Sequence, residues 1–167
     1  MTIPRALLLA AAVWVADQLT KAWVVATLPL GFRGEAVGGV FRLVHLRNRG
    51  IAFSLLDDGG PVVQIGLLIV VAAVVVVLLV HLARGCHDGW VAGGMALVLG
   101  GAVGNLTDRL LRGEVVDFLS FFVTTGRGEL AWPAFNVADS AISTGAGLII
   151  VGELLRSWRA KRASAAH

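Results

Sequence analysis

Four long apolar stretches, separated by two longer mixed segments, set the plan of this chain. Val62–Leu82 is the clearest, 21 residues in which Gln64 and His81 are the only clearly polar members. At about 1.5 Å per residue such a helix is roughly 30 Å long, the thickness of a bilayer core. Comparable stretches run from about Trp90 to Leu111 and from about Phe135 to Leu155. The first, Ala6 to Leu30, is interrupted by Asp17-Gln18 and Lys21. A signal peptide is the rival reading there, because Arg5 precedes the apolar run. Apolar character resumes at Ala22, however, and no small-residue cleavage site follows. The pattern therefore predicts four membrane helices, over about residues 6–28, 62–82, 90–111 and 135–155, in a single domain of residues 1–167.

The two longer connections, 31–60 and 112–134, carry structure of their own. Val40–Leu46 is rich in β-branched and large apolar residues and predicts a strand. Val115–Val123 is a second apolar run, closed by the turn-rich Thr124-Thr125-Gly126-Arg127-Gly128. Ile51–Leu56 predicts a short interfacial helix, ended by Asp57-Asp58-Gly59-Gly60. The expected architecture is an all-α membrane bundle of four helices with a small platform at its outer mouth.

Composition agrees. The chain is 57% hydrophobic and 15% charged, with a mean hydropathy of +0.82. Soluble domains carry about 25% charged residues. The net charge of +3 does not imply nucleic acid, since the basic residues are scattered and no aromatic-interleaved stripe exists. They read as membrane orientation and contact with lipid headgroups. Counted over all loops the charge rule nearly ties; Arg156, Arg159, Lys161 and Arg162 decide it. Both termini, including the basic tail 156–167, are then expected in the cytoplasm and the loops 31–60 and 112–134 outside. Cys86 is the only cysteine, which excludes an internal disulfide and a cysteine zinc site, and it is expected to be silent. His45, His81, His87 and His167 show no ligand spacing beyond the loop flanked by His81 and His87. No metal or other cofactor is expected.

The candidate chemistry lies in two polar islands, Val115-Val116-Asp117-Phe118 and Phe135-Asn136-Val137-Ala138-Asp139. A carboxylate at membrane depth costs about 2.5–3.5 kcal/mol, so each is a functional suspect. Two together suggest a pair sharing a proton, as in aspartic proteases; the alternative is two separate capping or surface aspartates. Asp139 falls in the first turn of the last helix, where the dipole favours the anion. Gly101, Asn105, Asp108 and Arg112 share one helical face, with Arg109 beside it, and Asn136, Asp139, Ser140 and Ser143 share another. Those faces either build a site or merely hydrogen-bond two helices. Gly89, Gly93, Gly100 and Gly104 form small-xxx-small pairs for close packing. Asp17 and Lys21, spaced i, i+4, either neutralise one another or brace the polar pocket. Asn48-Arg49-Gly50 is a turn signal.

With these motifs in order, the chain resembles the lipoprotein signal peptidases (signal peptidase II), aspartic membrane proteases of bacteria. The resemblance is carried by Asp17-Gln18-Leu19-Thr20-Lys21, Asn48 to Ser54, Gly100 to Arg109, Val115 to Phe118 and Trp132 to Ser140. It covers about residues 5–156. No motif position departs from the pattern, although Thr124–Leu130 is long and Gly-rich for the family's loop. The resemblance implies a catalytic pair of Asp117 and Asp139, and a pocket lined by Asn105, Arg109, Asn136 and Asn48. Asp17, Lys21 and Asp108 are expected as polar support. The implied substrate is a prolipoprotein, cleaved on the amino side of a diacylglyceryl-modified cysteine at the outer face of the bacterial inner membrane. The outer loops would be the family's β-cradle and interfacial helix, and a monomer is expected. A small proton-coupled transporter and a membrane scaffold are the other classes. The transporter needs polar residues along a full crossing, and a scaffold needs no paired aspartates. A presenilin-like protease lacks support, because its glycine-x-glycine-aspartate motif is absent.

Overall fold

The computed structural model describes residues 1–50, 60–85 and 88–164. The apolar stretches form α1 (Ile3–Thr27), α2 (Gly60–Arg84), α3 (Gly89–Arg112) and α4 (Val137–Ser164), each long and apolar enough to cross a membrane. Local chemistry sets several of their ends. Pro4 stands in the first turn of α1, where its missing N–H removes no helical bond. Asp88 caps α3 by accepting from the Trp90 amide, and Gly113 ends it in a left-handed conformation at φ 75°.

α3 is the hub of the bundle. In its most apolar 18-residue window 61% of residues are buried, against 22% in α1 and α4 and none in α2. Lipid tails are as apolar as leucine, so helices in a bilayer associate by close packing rather than by escape from water. Gly94 and Gly145 supply that packing between α3 and α4. A Cβ on Gly94 would stand 2.6 Å from the Gly145 carbonyl oxygen, and one on Gly145 2.5 Å from that of Gly94. This corrects the expected glycine pairs: Gly89 and Gly93 meet nothing within 4 Å, whereas Gly100 and Gly104 pack on α1.

The segments that connect the helices form a three-stranded antiparallel sheet, β1 (Phe41–Asn48), β2 (Val115–Thr125) and β3 (Gly128–Ala131), in that spatial order. β3 was not expected; its segment read as loop. All four of its residues are exposed, so no alternation of buried and solvent-facing positions marks it. The β2–β3 turn is tied by Thr125, whose hydroxyl donates to the Gly128 carbonyl at 2.7 Å. Along β1 and β2, Arg42 pairs with Ser120, and an unbroken register would set Leu46 opposite Val116. An irregularity between Leu43 and Leu46 sets it opposite Asp117 instead.

The last helix also departs from expectation at both ends. Its start shifts from Phe135 to Val137, because the Phe135 backbone exchanges hydrogen bonds with Leu119 at 2.8 and 2.9 Å and so extends the sheet. At the other end the helix continues through the basic residues to Ser164. The interfacial helix expected over Ile51–Leu56 lies outside the described residues, as do Cys86 and His87.

Candidate active site

The bridge between Phe135 and Leu119 brings the two aspartate-bearing islands together, since it holds the start of α4 against β2. Asn136 then joins them. Its Oδ1 accepts from the Asp139 amide at 2.9 Å, while the Asp139 Oδ2 accepts from the Asn136 amide at 3.2 Å. This is a reciprocal capping box, with asparagine and aspartate in place of the usual serine and glutamate. The Asn136 side-chain amide donates to the Asp117 Oδ1 at 2.8 Å. One asparagine thus caps α4 and touches both carboxylates.

Two further asparagines complete the frame. Asn105, on α3, donates to the Asp139 Oδ1 at 2.7 Å. Asn48 lies diagonally across the β1–β2 ladder from Asp117 and donates to its Oδ2 at 3.2 Å. The amide of Asn48 is itself oriented, because its Oδ1 accepts from the Gly50 amide at 2.9 Å. Arg109 secures that turn from α3, donating to the Gly50 carbonyl at 2.7 Å. Each oxygen of each aspartate therefore accepts a hydrogen bond. Asp117 is 4% exposed, and burial pushes its carboxyl up to about 7, with the charge of Asp139 adding to the rise. The hydrogen bonds from Asn48 and Asn136 and the charge of Lys21 pull in the opposite direction.

Asp17, Lys21 and Asp108 form a separate, wholly buried cluster behind this frame. The Lys21 ammonium reaches Asp17 at 2.8 Å, Asp108 at 2.9 Å and the Asn105 Oδ1 at 2.9 Å, so all three of its donors are used. Asp17 also accepts from the Ala138 amide at 2.9 Å, and Asp108 binds Arg112 and the Val116 amide. Gly104 leaves the room: a Cβ there would stand 2.6 Å from an Asp17 carboxylate oxygen. Gln18, for which the sequence suggested no role, donates to Asp17, Asp108 and the Gly104 carbonyl. Its place within Asp17-Gln18 was the only available signal.

The aspartates open onto a cavity of about 490 Å³. Asn48, Asn105, Arg109, Asp117 and Asp139 gather in its wall, and Val115, Phe135 and Ile142 are among its apolar members. Asn136 is fully buried behind it. The Trp132-Pro133-Ala134 wall was visible in sequence only as a motif, not as lining. Two carboxyls of unequal environment, held on hydrogen bonds beside a half-apolar cavity, can pass a proton to and from a bound amide.

The model of the Signal peptidase (SPase) II family matches residues 9–155. The chain belongs to the signal peptidase II family. A lipoprotein signal peptidase of Aeromonas hydrophila subsp. hydrophila is 42% identical over 149 residues, covering 88% of this chain and 86% of that protein. Another, from Azoarcus sp. strain BH72, is 44% identical over 151 residues, covering 89% and 81%. Among solved structures, a bacterial membrane enzyme determined by the in meso method at 2.3 Å resolution superposes with a TM-score of 0.78. It is 29% identical, with 92% of this chain and 90% of that one covered. As a signal peptidase II, the protein is a multi-pass membrane protein and an aspartic peptidase.

Proposed function

We propose that the protein removes signal peptides from bacterial prolipoproteins, cutting on the amino side of the diacylglyceryl-modified cysteine, with Asp117 and Asp139 as its catalytic dyad. The observation that carries this reading is the Asn136 bridge, which ties both carboxylates to one capped helix end at a half-apolar cavity. Asp139, on the capped helix N-terminus, is the ionised partner and takes a proton from the attacking water. Asp117, held neutral by burial, donates its proton to the scissile carbonyl. Collapse of the tetrahedral adduct then returns the Asp117 proton from the former carbonyl and delivers the proton on Asp139 to the departing amine. Asn136, buried behind the cavity, orients the dyad, while Asn48, Asn105 and Arg109 in the cavity wall face the peptide. Asp17, Lys21 and Asp108 hold the helices beneath them.

The test is one precursor, with and without its diacylglyceryl group, at equal concentration in matched detergent. The lipidated form is expected to lose its signal peptide, read as a mass shift, far faster than the unlipidated form. Each buried acyl methylene contributes about 0.8 kcal/mol to holding the bond at the depth of the dyad. Equal rates would remove the lipid from the recognition model.

The elevated carboxyl of Asp117 gives a pH prediction. The group is protonated below about 7 and loses its proton above it, so kcat/KM should fall as pH rises through neutrality. Stability has the same sign: between about 4 and about 7 the native protein holds a proton that the unfolded chain has released, and this group favours folding less as pH rises across that window. A rate that climbs steadily from pH 7 to 9 would reject the neutral role of Asp117.

The basic residues at the end of α4 support an orientation with both termini in the cytoplasm and the sheet outside, at the bacterial inner membrane. The protein is proposed to act as a monomer. Reporter fusions at Gly126 should read extracytoplasmic, and fusions at Gly85 and at the C-terminus cytoplasmic. Inverted signals would put the dyad on the wrong side for this substrate.

A further inference from the structure

Beside the dyad cavity lies a second one, of about 410 Å³, built largely by β1 and β2. The two cavities share Asn48, Asp117 and the Trp132-Pro133-Ala134 wall, so Asp117 stands where they meet. Their linings differ in kind. The dyad cavity has Val115, Phe135 and Ile142 in its wall; the second has Arg33, Arg42, Arg47 and Ser120. Asp117 thus lines one chamber together with Arg42 and Ser120.

The chamber carries an excess of positive charge. Arg42 pairs with Glu129 and lies 3.7 Å over the Phe122 ring. Arg47 pairs with Glu114 at 3.1 Å, but Glu114 also serves Arg49 at 3.2 Å. The Nε of Arg47 is buried and meets no hydrogen-bond acceptor among the described residues. Arg33 is exposed and has no carboxylate within ion-pair distance among the described residues.

A prolipoprotein has two unlike halves about its scissile bond. An apolar signal segment and acyl chains suit the dyad cavity, and the water-soluble mature segment must leave by another route. An extended chain advances about 3.3 Å per residue, so the second and third residues after the cut fall about 7–10 Å from it, within the adjoining chamber. We propose that this arginine-lined chamber receives the start of the mature segment and selects an acidic side chain there, with Arg33 as the open cationic contact. The proposal rests on the peptidase reading above. A peptide is favoured over an anionic lipid headgroup because the chamber opens from the dyad and is walled by strands rather than by the lipid-facing sides of the helices.

The test uses the full-length protein in neutral detergent and three lipidated precursors that differ only at the second residue after the cysteine: Asp, Asn or Lys. Wild type should favour Asp over Lys by about fivefold in kcat/KM, the scale of one partly solvated ion pair, and mainly through KM. Arg33→Glu should invert that preference. Because the ratio is taken within one enzyme preparation, it does not depend on how much of the variant folds. Equal rates for all three precursors, or a preference unchanged by Arg33→Glu, would overturn the proposal while leaving the peptidase reading intact. No cleavage of any precursor by wild type would overturn both. A rate that responds to added phosphatidylglycerol through Arg33, with no dependence on precursor charge, would assign the chamber to a lipid headgroup and reject the peptide.

Discussion

Asp117→Asn and Asp139→Asn should each lower cleavage by about 100- to 10,000-fold, the range associated with loss of a positioned acid or base, while the protein still reaches the membrane. Each change removes a titratable group with almost no change in volume. Neither is structurally silent. Asp139 accepts from Asn105 on one oxygen and from the Asn136 amide on the other, and an asparagine offers only one acceptor. One of these two bonds is lost, at about 1 kcal/mol. At Asp117 the amide of the new asparagine must likewise face either Asn48 or Asn136. Against this, a neutral side chain no longer resists burial. The proper readouts are accumulated protein and turnover of the lipidated precursor measured side by side. Substantial turnover by either variant would reject the dyad.

Lys21→Met should be the most damaging single change to folding. The ammonium is fully buried between two carboxylates that are themselves fully buried, and no solvent can replace it. Removing one partner of a buried ionic cluster costs about 3–5 kcal/mol, because the surviving charges are left uncompensated. Whole domains are stable by about 5–15 kcal/mol. The damage would spread, since Asp17 holds the first turn of α4 and Asp108 holds the start of β2. We expect poor accumulation and a melting temperature lower by about 10 °C or more in detergent. Adding Asp17→Asn and Asp108→Asn to Lys21→Met should recover part of that loss, as the stranded charges disappear. A single variant as stable as wild type would show that the cluster is dispensable.

The helices were legible because lipid imposes one simple rule, a long apolar run, and Val62–Leu82 obeys it almost without exception. The polar islands were legible for the converse reason: Asp117 and Asp139 stand out where charge is costly. What escaped depended on partners distant in sequence. Phe135 is as apolar as any span residue, yet its backbone is committed to Leu119, and this moves the start of α4. β3 is exposed throughout and leaves no periodic trace. The diagonal of Asn48 on Asp117 follows from a ladder irregularity that no local pattern announces. Gly94 and Gly101 pack against α4 although the simple four-residue spacing pointed to Gly89 and Gly93.

Among the described side chains of α2, only Leu82 is buried, and the dyad takes nothing from this helix. Bilayers differ in thickness, and a helix that does not match its surroundings tilts or thins the lipid around it. α2 meets the rest of the bundle through an apolar seam, where Leu82, Val75 and Leu78 pack with Ala6, Ala10, Met95 and Leu99, whereas α1, α3 and α4 are cross-tied through Lys21, Asp17 and the packed glycines. The depth of the two carboxylates is therefore set by α3, α4 and the sheet, and a mismatched bilayer meets first the helix that holds neither of them.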